Sequence, residues 1–247
     1  MSTSVDRAPH RILYGRKRGR RLRPGRKALL DEVLPRLALE LPEPPSRLDP
    51  GGAFAAPVDD VWLEVGFGDG EHLAAQARAH PGIGFVGCEP YVNGVAALLR
   101  RVIDEELENV RLFVDDARLL IDALAEASIG RAFVLFPDPW PKRRHRKRRF
   151  ISTGTLEALA HVLKDGAELR VATDDPGYCR WTLTQVLARA EFDWAARSPR
   201  HWRVRPDDWP ATRYQEKAAA EGRRSVFLTF RRCNRRSAGA SQCSQRP

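Results

Sequence analysis

Five short apolar runs, alternating with segments of helical period, predict an α/β protein with a mostly parallel sheet covered by helices on both faces. The runs are residues 61–66, 83–88, 110–114, 132–136 and 167–172. Each is bounded by turn residues and too short to be a helix. A second observation concerns what ends them: Glu64, Glu89, Asp116, Asp138 and Asp174 all fall at or just beyond the ends of successive runs. Ligands of open α/β sheets gather outside the carboxyl ends of the strands, so five acids placed there in succession point to one site. A third is size, since 247 residues with 43% apolar content suit one domain with extensions.

In chain order, residues 1–27 carry ten Lys or Arg against one Asp. They are too basic and Gly-rich to fold alone, and read as an arm that is disordered until it meets RNA. Residues 28–52 follow as a helix, with Leu29, Leu30, Val33, Leu34 and Leu37 on one face, and a Pro-rich connector. The body spans 53–232, leaving 233–247 as a disordered tail.

Within the body, the first strand opens into Gly66-Phe67-Gly68-Asp69-Gly70 and a helix from 71 to about 80. Glycines at a strand-to-helix turn let a ligand approach the backbone closely. Glu89, 19 residues beyond Gly70, ends the second strand, where a carboxylate can accept both hydroxyls of a ribose. Asp115-Asp116-Ala117 ends the third, placed to meet an adenine edge or simply to cap the next helix. An acid after the second strand fits either NAD or S-adenosylmethionine. The Asp-Ala pair after the third, together with the Asp138 loop after the fourth, favours S-adenosylmethionine.

Helices are expected over 93–107 and 118–127, then from Ser152 or Thr153 to a stop at Gly166, and over 178–190. Residues 192–196 and 225–230 read as two final strands. Between them, 197–222 is rich in Arg, Trp and Pro and reads as a surface loop.

The stretch 131–150 organises the function. Pro137-Asp138-Pro139-Trp140 places one carboxylate on a proline-stiffened turn beside a flat aromatic. Seven of the eight residues 142–149 are then Lys or Arg, the eighth being His145. The net charge is +10, but residues 1–27, 142–149 and 231–247 carry +9, +7 and +5, which leaves −11 on the rest. Basic character gathered into three segments of an otherwise acidic chain points to a polyanionic partner. Cys88, Cys179, Cys233 and Cys243 show neither CxxC pairing nor metal-ligand spacing with His. Reduced thiols, no metal, no membrane span and a cytoplasmic location are the expectations.

The strings LEVGFGDG, VGCEP, FPDPWPKRRHRKRR, ATDD and TRYQEK, in that order, closely resemble the bacterial tRNA (guanine-N(7)-)-methyltransferase family, and the resemblance runs from about residue 11 to 231. It implies a class I S-adenosylmethionine-dependent methyltransferase with a seven-stranded sheet and an antiparallel last strand. It also implies methyl transfer to nitrogen 7 of a guanine in the tRNA variable loop. By position it implies cofactor contacts at Glu64, Glu89, Asp116 and Asp138, beside the glycines Gly66 and Gly68, and a catalytic role for Asp138. Substrate tRNA is then met by Lys142, Asp174, Thr212, Arg213, Tyr214 and Gln215, with Arg144, His145, Arg146, Lys147, Arg148 and Arg149 against the RNA. Gln215 departs from the family's usual Glu, which Glu216 follows here. Rival readings are methylation of an exocyclic amine of RNA and a non-catalytic RNA-binding protein on the same fold. Monomer and homodimer both stay open.

Overall fold

The structure, a computed structural model, describes residues 13–235 apart from 16 and 45. The start of the basic arm and most of the tail, with Cys243, lie outside the described residues. Seven strands, β1 (Asp60–Val65), β2 (Ile83–Cys88), β3 (Val110–Phe113), β4 (Ile129–Leu135), β5 (Leu163–Thr173), β6 (Phe192–Trp194) and β7 (Val226–Arg232), form one sheet in the order β3-β2-β1-β4-β5-β7-β6. β1 to β5 are parallel; β7 runs antiparallel to both of its neighbours. Registers such as Val65 to Cys88 and Val65 to Val134 align the carboxyl ends, so the loops after β1, β2 and β4 open on one rim.

The helices are α1 (Pro24–Glu32), α2 (Leu34–Leu37), α3 (Glu71–Ala79), α4 (Val92–Asp104), α5 (Ala117–Ala123), α6 (Thr153–Val162), α7 (Pro176–Leu187), α8 (Arg200–Arg203) and α9 (Arg213–Ala220). Alternation along β1 divides the core. Val61 and Leu63 pack with Leu120, Leu156, Leu159 and Tyr178 on one face. Trp62 packs with Leu73, Phe85, Val95, Leu98 and Leu99 on the other. The apolar stripe of the first predicted helix lies against this second face, where Leu29, Leu30, Val33, Leu34 and Leu37 are partly buried. Pro35 divides that helix, and Ala38 and Leu48 then bridge to Leu112 and Leu124. The connector is thereby tied to the body.

Three expectations are corrected. The helix predicted to stop at Gly166 ends at Val162. Gly166, at φ +80°, instead lies inside β5, where pairing slips between Ile129↔Leu163 and Arg131↔Glu168. It accommodates a bulge, the other use of a glycine at positive φ. β4 ends at Leu135, and Phe136 turns to φ +48° rather than extending the strand. Residues 197–222 are not merely a surface loop. They contain α8 and α9 and bury Trp209, which packs edge-on to Phe133 and Phe227.

Candidate active site

The rim opens into a cleft of about 730 Å³, lined from one side by the loop after β1 and from the other by the turn after β4. Gly66 and Gly68 take φ of +72° and +56°, conformations costly for any residue with a Cβ. A Cβ on Gly66 would meet no atom within 4 Å and would project into open space, as expected where a ligand passes close to the chain. Glu89 is buried below this loop. Its two oxygens accept hydrogen bonds from the Gly68 N–H at 2.8 Å and the Tyr91 N–H at 3.0 Å. Burial raises its carboxyl pKa above the ordinary value, and the two backbone donors only partly oppose that.

Glu64 is also buried, paired at 2.7 Å with Nδ1 of His72 on α3. His72 was not legible in the sequence; its position eight residues after Glu64, at the start of the predicted α3, is the only cue. Asp116 caps α5 by accepting from the Arg118 N–H at 3.0 Å, and its oxygens also hold the Arg118 side chain. The capping role expected of an acid there is present, on the wall of the same cleft.

Asp138 differs from these three. It is exposed at the cleft, and among the described residues its carboxylate makes no hydrogen bond or ion pair. Its support is stiff: Phe136 at φ +48° and Trp140 at φ +40° flank the Pro137-Asp138-Pro139 turn. Bulky side chains seldom adopt that conformation, and such strain gathers where surrounding structure enforces a functional geometry.

Arg149 does the enforcing, from inside the protein. The side chain turns inward and is buried; Nε donates to the Pro139 carbonyl at 2.8 Å, and Nη2 reaches the Trp140 carbonyl. The guanidinium lies over the rings of Trp181 and Tyr178, at 5.0 and 5.6 Å from their centroids. Those aromatics stand three residues apart on one face of α7, the sequence signal that could have marked an arginine as internal. Arg148 is likewise engaged, its guanidinium 4.6 Å from the Tyr14 ring and 4.9 Å from the Trp140 ring. Lys142, Arg144 and Arg146 remain exposed, the last two on the short 3-10 turn Arg143–Arg148. His145 packs edge-on to Trp140, and its pKa is held down by desolvation and then by the charges of Arg148, Arg144 and Lys142.

The cleft therefore brings together Glu64, Gly66, Gly68, Glu89, Asp116, Asp138, Lys147, Arg148, Arg149, Thr212, Arg213 and Tyr214. Lys142, Arg144, His145, Arg146 and Gln215 are not on its wall. Neither is Asp174, whose carboxylate pairs instead with Arg223. Thr212 caps α9 by accepting from the Gln215 N–H. Cys88, Cys179 and Cys233 form no disulfide. Among the described residues no cluster of three or more His, Cys, Asp or Glu is arranged to hold a metal, and no helix is long and apolar enough to cross a membrane.

The strand order, the glycine turn after β1, and the acids near the end of β1 and after β2 and β3 define a class I methyltransferase. The solved 16S rRNA methyltransferase KamB has the same fold, with a TM-score of 0.52 at 20% identity over 72% of this chain and 89% of its own. The [4+2]-cyclase SpnF shares it too, at a TM-score of 0.51 and 16% identity over 73% of this chain and 77% of its own. These likenesses concern the fold alone. A family described as "Putative methyltransferase" matches residues 59–228. The tRNA (guanine-N(7)-)-methyltransferase of Rhodospirillum rubrum is 50% identical over 221 residues, 89% of this chain and 87% of the relative. That of Ruegeria pomeroyi is 48% identical over 94% of this chain and 99% of the relative. The chain belongs to the bacterial tRNA (guanine-N(7)-)-methyltransferase family.

Proposed function

We propose that the protein transfers the methyl group of S-adenosylmethionine to nitrogen 7 of a guanine in tRNA, in the cytoplasm. The observation that carries this reading is the pairing, in one cleft, of two unlike carboxylates. Glu89 is buried and fixed beneath a glycine turn, while Asp138, without a hydrogen-bond or ion-pair partner among the described residues, stands on a strained turn backed by Arg149.

The residues suit the cofactor. Gly66 leaves space at the strand-to-helix turn, Glu89 presents carboxylate lone pairs to ribose hydroxyls, and Asp116 stands at the next strand end. When bound, S-adenosylmethionine supplies an activated methyl group. Guanine nitrogen 7 has a free in-plane lone pair and no proton to lose, so transfer needs positioning more than acid–base help. Asp138 holds the donor edge of the base, since a carboxylate suits adjacent N–H groups. It also stabilises the positive charge that develops on the purine. Trp140 offers a stacking face beside it, and the exposed Lys142, Arg144 and Arg146 meet phosphates.

The names of the relatives disfavour the exocyclic-amine alternative. Purified protein, unmodified tRNA and methyl-labelled S-adenosylmethionine, followed by nucleoside analysis, test the reading. Label in 7-methylguanosine is the expected result; label in a methylated exocyclic amine, or none, would contradict it.

A further inference from the structure

α9 opens on Thr212, Arg213 and Tyr214, the segment whose family resemblance implies substrate contact. In the structure this segment is fastened to the glycine loop and the start of α3 by three separate contacts. The backbone N–H of Arg213, one of the donors a helix start leaves without an internal partner, donates to Glu71 Oε2 at 2.9 Å. The Arg213 guanidinium pairs with Asp69 at 2.7 Å. The Tyr214 ring lies so close to Gly68 that an added Cβ would stand 3.3 Å from its Cε2. Glu71 is itself steadied by Arg101 of α4 at 3.6 Å. The start of α9 is thus capped partly by its own Thr212 and partly by the first residue of α3.

A guanidinium already paired with Asp69 is poorly placed to meet a phosphate. Gly68, which donates to Glu89 from one side, carries Tyr214 on the other. Whatever orders the glycine loop therefore orders α9.

We propose that Arg213 is a positioning residue, and that Asp69 and Glu71 latch the substrate-contacting segment onto the cofactor loop so that the two half-sites form as one unit. The inference rests on the methyl-transfer reading above, which supplies the two ligands. It assigns a role to Asp69 and Glu71 and makes Arg213 a support of the substrate contacts rather than one of them.

The test compares Asp69→Asn, Arg213→Gln and the double variant by methyl-transfer kinetics, cofactor titration and the salt dependence of tRNA binding. With a latch, each single change raises the KM for tRNA and weakens cofactor binding by about two- to five-fold, the range of a partly exposed ion pair. The double variant is no worse than either single, because both remove the same ion pair. The slope of log affinity against log salt stays at the wild-type value. If Arg213→Gln flattens that slope while Asp69→Asn is harmless, Arg213 is a phosphate contact and the proposal is overturned; additive losses in the double variant overturn it equally. Failure of the wild type to methylate tRNA would sink the functional reading instead. Hydrogen exchange then decides the latch: amides of α9 exchange faster in Asp69→Asn if it exists, and at the wild-type rate if it does not.

Discussion

Glu89 and Asp138 are carboxylates on the rim of the same cleft, and nearly everything about their surroundings differs. Glu89 is buried, with each oxygen already accepting from a backbone N–H, so its orientation is set before any ligand arrives. Asp138 is exposed and has no partner among the described residues, and it is the backbone beneath it that is fixed: two residues at positive φ, two prolines and the inward Arg149. A saturated carboxylate is suited to steady binding, where it contributes equally throughout the reaction. A carboxylate not saturated by the protein can interact more strongly with the base as positive charge develops there, and only an interaction that strengthens in this way raises the rate of the chemical step.

The largest effect should come from Asp138→Ala. Methyl transfer at saturating tRNA and cofactor should fall by orders of magnitude, at a factor of ten per roughly 1.4 kcal/mol of lost stabilisation. Filter binding should find tRNA affinity near wild type, because no cation is removed.

Glu89→Ala should be next, weakening cofactor affinity by about ten- to a hundred-fold, as expected when a charge-assisted hydrogen bond worth about 1.5–3 kcal/mol is removed. Calorimetry measures it directly, and pH sharpens it. Burial raises the Glu89 pKa, so this carboxylate takes up its proton at a higher pH than an ordinary glutamate. Cofactor affinity should then decline on acidification before an ordinary glutamate would protonate, and the Glu89→Ala variant should lack that decline.

Arg149→Ala removes a buried guanidinium that ties the Asp138 turn to α7. It should cost about 1.5–3 kcal/mol of stability, read as a lower Tm in calorimetry, and should slow transfer because the turn relaxes. Smaller again is the effect of Arg144→Ala with Arg146→Ala. The salt slope of tRNA binding should become shallower by up to about 0.9 for each phosphate that is no longer neutralised, while the transfer rate at saturation is kept. An unchanged slope would remove these side chains from the RNA interface.

Much of this contrast was legible beforehand. Strand-length apolar runs place the sheet, and acids at their ends mark the rim, because both follow from local pattern. The orientation of Arg149 was hidden inside a run of like charges; only packing against Tyr178 and Trp181 separates it from its neighbours. The pairing of Arg213 with Asp69 was hidden for a different reason. It joins residues 144 positions apart in the sequence, and no local spacing encodes it. Asp174 follows β5 as the other acids follow their strands, but it lies off the cleft wall and pairs with Arg223 from the turn before β7, a contact that no local spacing encodes. Phe136 read as the last residue of a strand, and its left-handed turn is set by the loop it supports rather than by its own preference for extended structure.

Single-turnover methyl transfer, measured across a cofactor titration with tRNA saturating, decides the division of labour between the two carboxylates when Glu89→Ala and Asp138→Ala are run side by side. Glu89→Ala should approach the wild-type rate once enough cofactor is present, while Asp138→Ala should stay slow at every concentration. If Asp138→Ala instead reaches the wild-type rate at saturation, its carboxylate is a turn residue and the assignment of the chemistry to it is wrong.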